Sequence, residues 1–340
     1  MELTPALIIQ QNQEKPDKIY LIEMIKANIR SLCPLNQFSK VKSIVFSSNL
    51  IEVIPRGTFD KLKDLKELDI SCNFISSLDG LVIPSLVRLV ISFNRIETLE
   101  WISGYKNLQV LKAEGNKITS MKPLQPLGNL KLVNLSLNQI SQIQGISATD
   151  IDELYLENNS IEQINPRDIR QTLKILFLKG NQLNDASFLE NLKELETLNL
   201  DKNEFQTLES FSMLPNLNEL YLSTNQIFMI GNKLELNELF PVLASLDLSN
   251  NSLYDRVELL CLRQLSTLRE LNLQGNPCAE IENFEEIIME DYPQLIILND
   301  KQIARPTYLE ELAKIKDTLK DEGFNTHPVL LQLCQSAKIW

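Results

Sequence analysis

The feature that most constrains this chain is a short phrase that returns along most of its length. Leu217, Leu220, Leu222 and Ile227 are apolar, and Asn225 stands between the last two at a fixed offset. The same arrangement, L-x-x-L-x-L-x-x-N-x-L, places its asparagine at Asn49, Asn73, Asn94, Asn116, Asn138, Asn159, Asn181, Asn203, Asn225, Asn251 and Asn276. Successive asparagines lie 21 to 26 residues apart. The chain therefore repeats one small structural unit.

Each unit predicts a short strand followed by an inward turn. Alternating side chains of a strand point to opposite faces, so Leu220 and Leu222 face one side and Tyr221 faces the other. One unit cannot bury its own apolar face, and the units must therefore stack into a solenoid with a parallel sheet. We interpret the eleven asparagines as a structural ladder that satisfies backbone groups in the turns, and not as ligands.

This repeat resembles the leucine-rich repeat family over about 260 of the 340 residues. The resemblance implies an α/β fold: a curved, right-handed horseshoe with a parallel β-sheet on its concave side, short helices or 3-10 turns on its convex side, and helical caps. Gaps of 21 or 22 residues resemble the short-repeat intracellular subtype. The sequence N-P…Y-P-x-L-x-x-L-N, which ends at Asn299, resembles the C-terminal cap of intracellular members such as the regulatory subunit of type 1 protein phosphatase. Asn299 stands where those members carry Asp.

The sequence predicts one elongated domain in four segments, because each repeat of a solenoid contacts only its neighbours. The segments are an N-terminal helical cap (1–40), eleven repeats (41–276), the C-terminal cap (277–303) and a helical tail (304–340). Asp17–Leu32 is predicted to form an amphipathic helix that covers the first apolar edge. The alternative is a helix that binds a partner.

The two longest gaps between asparagines predict fuller convex helices at Lys233–Leu243 and Tyr254–Leu265, with Glu235, Glu238 and Glu258 exposed. The tail is predicted to open a helix at Pro306. Two interpretations of the tail remain open: it packs against the last repeat, or it presents a helix to a partner.

Composition narrows the possible functions. A net charge of −12 and an estimated pI of 4.8 argue against direct nucleic-acid binding, which needs a basic footprint, and favour a protein partner with a basic or mixed surface. Five scattered cysteines without a CxxC motif predict reduced thiols and no metal site. Neither a signal peptide nor a membrane-spanning run is expected. We expect a monomer in the cytoplasm, with nucleus or cilium also open.

The sequence predicts no catalytic residue and no cofactor. The single histidine, His327, lies in the tail next to Pro328, and we predict that it is a surface residue. Neither of the glycine-rich phosphate motifs, GxxxxGK and GxGxxG, occurs among the ten glycines. Paired carboxylates are expected in an acidic chain and indicate a solvated face.

The strand positions that face away from the core give the candidate binding surface. Polar residues are expected there, yet eight positions on the third to seventh predicted strands are apolar: Val90, Phe93, Val110, Leu132, Leu137, Tyr155, Ile175 and Phe177. We predict that they form one contiguous patch, completed by Glu153, Glu219, Tyr221 and Asp247. Such patches mark binding surfaces. The alternative is that aromatic and branched residues merely suit strands.

These observations predict a non-catalytic scaffold or adaptor that binds a partner protein through its concave face. Three alternatives remain open at this stage. They are a regulatory subunit of a protein phosphatase, a structural component of a ciliary, cytoskeletal or ribonucleoprotein assembly, and a secreted bacterial effector that acts in a host cytosol.

Overall fold

The structure, a computed structural model, describes residues 1–231 and 235–303. Fourteen strands form one sheet in which spatial order follows chain order. They are β1 (Leu21–Glu23), β2 (Ser43–Val45), β3 (Glu67–Asp69), β4 (Arg88–Val90), β5 (Val110–Lys112), β6 (Leu132–Asn134), β7 (Glu153–Tyr155), β8 (Ile175–Phe177), β9 (Thr197–Asn199), β10 (Glu219–Tyr221), β11 (Ser245–Asp247), β12 (Glu270–Asn272), β13 (Ile297–Leu298) and β14 (Lys301–Gln302). All pairings are parallel except that of β13 with β14. The predicted curved solenoid is confirmed.

The core is a column of stacked apolar side chains behind the sheet. The middle residue of each three-residue strand points inward, and the pairing register places Leu198, Leu220 and Leu246 next to one another. Leu198 and Leu220 are fully buried, and Leu246 is nearly so. Because every repeat offers the same apolar positions, each buries the face that its neighbour leaves open.

The repeated asparagines join each repeat to the one before it. Asn159 Oδ1 accepts the backbone N–H of Ile140 at 2.9 Å, and its Nδ2 donates to the carbonyl oxygens of Leu135 and Leu156 at 3.0 Å. The other ten asparagines make the same kinds of bond, and all eleven are buried except Asn225, which is half-buried. Asn299 extends the series by accepting the N–H of Leu273 at 2.9 Å.

A left-handed backbone residue precedes every one of the eleven asparagines. These residues have φ between +51° and +74° and are Ser48, Cys72, Phe93, Gly115, Leu137, Asn158, Gly180, Lys202, Thr224, Asn250 and Gly275. This conformation is uncommon for residues other than glycine. It bends the chain at the end of each strand, where the next side chain, the asparagine, enters the interior.

The prediction of a helix over Asp17–Leu32 is wrong. This segment forms a further repeat: Ile22 lies in β1, which pairs in parallel with β2, and Ile22 and Ile29 are buried. Ile25, predicted on the same helical stripe, is 43% exposed. Apolar residues three or four positions apart fit both a helix and this repeat, and pairing with the next strand decides between them. Ala27 occupies the asparagine position, 22 residues before Asn49.

The N-terminal helix lies earlier, at α1 (Pro5–Asn12). Thr4 is its N-cap, with the side-chain oxygen accepting the N–H of Leu7 at 3.4 Å, and Pro5 opens the first turn. Leu3 and Ile8 are fully buried against the first repeat. This short helix therefore covers the apolar edge that the solenoid would otherwise expose.

The convex side carries short helical turns, as predicted. The 3-10 turns include Glu100–Gly104, Lys122–Leu124 and Ser187–Asn191. The two long repeats contain α-helix, but less than predicted: α2 spans Leu236–Leu239, and α3 spans Arg256–Leu259 before a 3-10 turn.

A proline limits the first of these helices. Pro241 comes two residues after Leu239, the last residue of α2, and a proline disfavours helix at the residue before it. Glu235 and Glu238 are exposed as predicted, whereas Glu258 is only half-exposed. The Glu258 carboxylate accepts the N–H of Ile230 at 3.2 Å, so this side chain turns towards the preceding repeat.

The C-terminal end is closed by α4 (Phe284–Asp291) and the β13–β14 hairpin. Tyr292 is fully buried. Asp291 forms ion pairs with Arg256, at 2.7 Å, and with Arg263, which joins α4 to the preceding repeat. The tail predicted over residues 304–340, with its helix and His327, lies outside the described residues.

Candidate protein-binding surface

The predicted binding residues lie on the sheet face opposite the core. Strand pairing aligns the third residues of the strands into one column, and the first residues into a second column beside it. We call these the central column and the outer column. The central column from β4 to β11 reads Val90, Lys112, Asn134, Tyr155, Phe177, Asn199, Tyr221 and Asp247, and the outer column reads Arg88, Val110, Leu132, Glu153, Ile175, Thr197, Glu219 and Ser245.

The predicted apolar patch stays a prediction, and the register shows which of its residues are neighbours. Lys112 and Asn134 lie between Val90 and Tyr155 in the central column, and a glutamate lies between Leu132 and Ile175 in the outer column. Val110 pairs with Leu132 on the neighbouring strand. Polar residues thus alternate with the apolar ones along each column.

Phe93 and Leu137 lie at the edge of this face, in the left-handed position before the ladder asparagine. Both side chains are 47% exposed. Gly115 stands between them, and a Cβ atom added there would lie 2.5 Å from the Phe93 ring. The phenylalanine ring therefore lies over the glycine of the next repeat.

Tyr155 and Phe177 form the aromatic cluster at the middle of the face. Their ring centroids are 5.2 Å apart at an interplanar angle of 68°, which is the edge-to-face geometry that aromatic pairs prefer. Both side chains are half-buried. The Tyr155 hydroxyl donates to the Glu153 carboxylate at 3.0 Å. Burial, and then this bond to Glu153, raises the pKa of Tyr155 to about 12.

A second tyrosine repeats this arrangement three strands along. The Tyr221 hydroxyl donates to the Glu219 carboxylate at 3.1 Å. Burial, and then the charge of Glu219, raises the pKa of Tyr221 to about 12, and the charges of Glu270 and Asp247 add to the shift. The tyrosine therefore keeps its proton at neutral pH in a strongly acidic setting.

Asp247, predicted to contact a partner, also has a structural partner of its own. Its carboxylate accepts the backbone N–H of Ser249 at 2.8 Å. Burial raises the pKa of Asp247, and Asp201 and Asp300 raise it further, although the bonds to Ser249 oppose the shift. Four other residues of this column also accept, through a side-chain oxygen, the backbone N–H of the residue two positions later: Asp69, Asn134, Asn199 and Asn272. Polar residues of the central column thus support the turn that follows each strand.

The exposed groups of this face are suited to contact with another macromolecule. Within residues 1–231 and 235–303, no three His, Cys, Asp or Glu side chains are grouped so that they could hold a metal ion. In the same ranges, no helix is long and apolar enough to cross a bilayer. The face offers half-exposed aromatic rings, aliphatic side chains and carboxylates, which are the groups that contact other macromolecules.

Comparison with known proteins decides the family. A leucine-rich repeat family model matches residues 190–318, and a second leucine-rich repeat model matches residues 39–83. The chain is a leucine-rich repeat protein. Together, the two matched ranges contain six of the eleven ladder asparagines.

Named relatives share the repeat along much of the chain. Human leucine-rich repeat-containing protein 23 is 31% identical over 256 residues, which is 68% of this chain and 66% of that protein. Mouse lumican is 27% identical over 249 residues, 70% of this chain and 66% of its own length. For the bovine form of protein 23, the covered share of the relative is 56%. The chain thus spans between about half and two thirds of the length of these relatives.

Solved structures of leucine-rich repeat proteins have the same fold. An internalin (InlF) from Listeria monocytogenes superposes with a TM-score of 0.68 at 20% identity, covering 86% of this chain and 88% of its own. A chain of the LRIM1/APL1C complex gives 0.65 at 25% identity, covering 81% of this chain and 51% of its own. The internalin match, at this identity, shows the fold alone.

Two features of this leucine-rich repeat protein were missed at the sequence level. The first is the column of left-handed residues that precede the ladder asparagines. Only three of these eleven residues are glycines, and others, such as Phe93 and Leu137, give no sequence signal for this conformation. The Tyr–Glu pairs on β7 and β10 come from one tripeptide, Glu-Leu-Tyr, that occurs on both strands. The identical tripeptides were a signal that could have been found.

Proposed function

We propose that this leucine-rich repeat protein is a non-catalytic scaffold that holds a partner protein against its concave sheet face. The observation that carries the proposal is the edge-to-face pair of Tyr155 and Phe177, half-exposed at the middle of that face. Aromatic side chains ringed by polar groups are the most frequent centres of binding energy in protein interfaces. Leucine-rich repeat proteins generally mediate protein–protein contacts, and one similar structure is itself a complex.

The partner's surface should be basic or mixed in charge. The chain carries a net charge of −12, and Glu153 and Glu219 lie beside the two tyrosines of the face. Complementary charge speeds encounter and disfavours partners of the wrong sign. The prediction of a cytoplasmic location belongs to the same proposal.

The test replaces both rings, Tyr155→Ala and Phe177→Ala, in one variant of the full chain. We expect affinity capture from cell extract, read by mass spectrometry, to lose the partner that wild type retains. The loss should be at least tenfold, since removal of a hot-spot side chain costs about 2 kcal/mol or more. Circular dichroism should show that the variant remains folded, because both side chains are half-exposed.

A matched control truncates two side chains on the convex side, Tyr254→Ala and Val257→Ala, which are 82% and 57% exposed. It should capture the partner as wild type does. Retention of the partner by the Tyr155/Phe177 variant would contradict the proposal. The identity of the captured protein also decides among the finer roles: a phosphatase catalytic subunit, a ciliary or cytoskeletal component, or a ribonucleoprotein. Resemblance to the phosphatase regulator stays a prediction until then.

A further inference from the structure

The concave face carries the same Tyr–Glu unit twice. On β7, Tyr155 donates its hydroxyl proton to Glu153, and on β10 Tyr221 donates to Glu219, at 3.0 and 3.1 Å. In both units the tyrosine lies in the central column and the glutamate in the outer column. Each unit therefore presents a half-buried aromatic ring beside a carboxylate, a combination that attracts a cation through both charge and the ring face.

Further carboxylates surround both units. Glu157 adds negative charge at Tyr155, and Glu270 and Asp247 add it at Tyr221. Two lysines follow the strands between the units: Lys179, whose ammonium lies 3.3 Å from the Asp201 carboxylate, and Lys202, which is exposed after β9. Among the ion pairs of the described residues, none involves Glu153, Glu157, Glu219 or Glu270. The carboxylates of the two units are thus available to a positively charged partner.

The two units are separated by a length that a peptide can match. Three strand steps lie between β7 and β10, and at roughly 4.8 Å per step this gives about 14 Å. An extended chain rises about 3.4 Å per residue, so residues four apart also lie about 14 Å apart. Side chains at positions one, three and five of such a segment point to the same side. The third side chain would lie near Phe177, between the two tyrosines.

We propose that this face binds an extended segment of the partner with two basic residues four positions apart and an apolar residue midway between them. One basic side chain lies against Tyr155 and Glu153, the other lies against Tyr221 and Glu219, and the apolar one contacts Phe177. This inference rests on the proposed function, since it names the chemistry of the partner that the same face holds. It goes beyond that function because it requires positive charge and a defined spacing in the partner, and not only contact with the exposed rings.

The probes are three fluorescein-labelled peptides, GRSLSRG, GRRLSSG and GESLSEG, which separate spacing from charge. Fluorescence anisotropy at low ionic strength should show GRSLSRG binding about fivefold or more tighter than GRRLSSG, because only the first can reach both units. GESLSEG should not bind. Added salt should weaken the binding of GRSLSRG, since the contacts lie on a partly solvated face.

The paired variant is Glu153→Gln with Glu219→Gln, which keeps side-chain shape and removes both charges. We expect it to bind GRSLSRG about tenfold more weakly, since hydrogen bonds between charged groups are the stronger kind. The matched control, Glu190→Gln with Glu194→Gln, changes two exposed glutamates outside the face and should bind as wild type does.

Three outcomes would overturn the inference. They are wild-type affinity in the Glu153/Glu219 variant, equal affinity for GRSLSRG and GRRLSSG, and binding of GESLSEG. Partner capture distinguishes this failure from failure of the proposed function. If the Glu153/Glu219 variant still captures a partner that the Tyr155/Phe177 variant loses, the scaffold proposal stands and the basic segment does not. If neither variant affects capture, both proposals fail.

Discussion

The inward side of the sheet is nearly uniform from repeat to repeat, whereas the outward side of the same strands changes at every step. On β7 and β8 the inward residues are Leu154 and Leu176, both fully buried, and the outward central-column residues are Tyr155 and Phe177. An inward side chain must fit its counterparts in both neighbouring repeats, so few residue types are tolerated there. Outward positions lack this constraint. The fold and the recognition surface are therefore encoded by alternate residues of the same strands.

The largest expected effect comes from removing one inward asparagine, Asn159→Ala. The N–H of Ile140 and the carbonyls of Leu135 and Leu156 would lose a buried partner. Each unpaired buried group costs roughly 1–3 kcal/mol, so the free energy of unfolding should fall by at least about 2 kcal/mol. Calorimetry should record a Tm lower by about 3 °C.

Asn134→Ala is the matched change on the outward side of the sheet. Asn134 also hydrogen-bonds twice, to the Glu114 carboxylate and the N–H of Ser136, but it is half-exposed and water can replace it. The loss of stability should stay below about 1 kcal/mol. Equal losses for Asn159→Ala and Asn134→Ala would remove the distinction between the two sides.

A smaller effect is expected at the border between the two sides, from Gly115→Ala. Gly115 has φ of +64°, and the new methyl group would lie 2.5 Å from the Phe93 ring, which must move. A left-handed residue with a side chain costs about 1–2 kcal/mol, so chemical denaturation should show a loss of that order.

The control for Gly115→Ala is Gly104→Ala on the convex side. No heavy atom lies within 4 Å of the added Cβ, and the backbone there is not left-handed. Alanine should leave stability unchanged or raise it by about 0.5 kcal/mol, because it restricts the unfolded chain. If Gly115→Ala proved as harmless as Gly104→Ala, the left-handed column would not limit the residues at this border.

The last prediction concerns the rate at which reagents label buried and exposed cysteines, and it involves no change in stability. Cys72 is exposed in the left-handed column, whereas Cys261 and Cys278 are buried. Burial raises the pKa of both buried thiols to about 11. Since the thiolate is the reactive form, alkylation at pH 7 should label Cys72 on the order of 100-fold faster than either, as read by peptide mass spectrometry.

The same pKa shifts give the pH dependence of this labelling. As the pH rises towards 11, the thiolate fraction of Cys261 and Cys278 increases and their labelling should accelerate. Urea should abolish the difference at any pH, because unfolding returns both thiols to ordinary pKa values. Equal labelling of the three cysteines in the native protein at pH 7 would show that the inward layer opens readily.

The sequence was sufficient for the features that every repeat shares. Eleven asparagines in register led to the parallel sheet and to the assignment of inward and outward positions, because a repeated pattern can be checked against itself. The outward list named Tyr155 and Phe177 individually, and the structure adds that their rings touch. Pairing without offset confirms the order of the central column, in which Lys112 and Asn134 lie between Val90 and Tyr155.

Prediction failed where the pattern loses its marker residue. With Ala27 in place of asparagine, the first repeat looked like a helix, because spacings of three and four residues occur in both structures. The predicted range Lys233–Leu243 contains Pro241, a signal against helix that the sequence already held. The bond between Glu258 and Ile230, by contrast, joins different repeats, and no short window of sequence contains both partners.

Ala27 also bears on how such an array could change its length. Each ladder asparagine accepts a backbone hydrogen bond from the repeat before it, as Asn49 does from the N–H of Ile29. The methyl side chain of Ala27 has no oxygen and cannot accept such a bond. A further repeat placed ahead of β1 would therefore lack the side-chain hydrogen bond that joins the later repeats. The ladder of side-chain bonds starts at Asn49, and the edge ahead of β1 is covered by α1 instead.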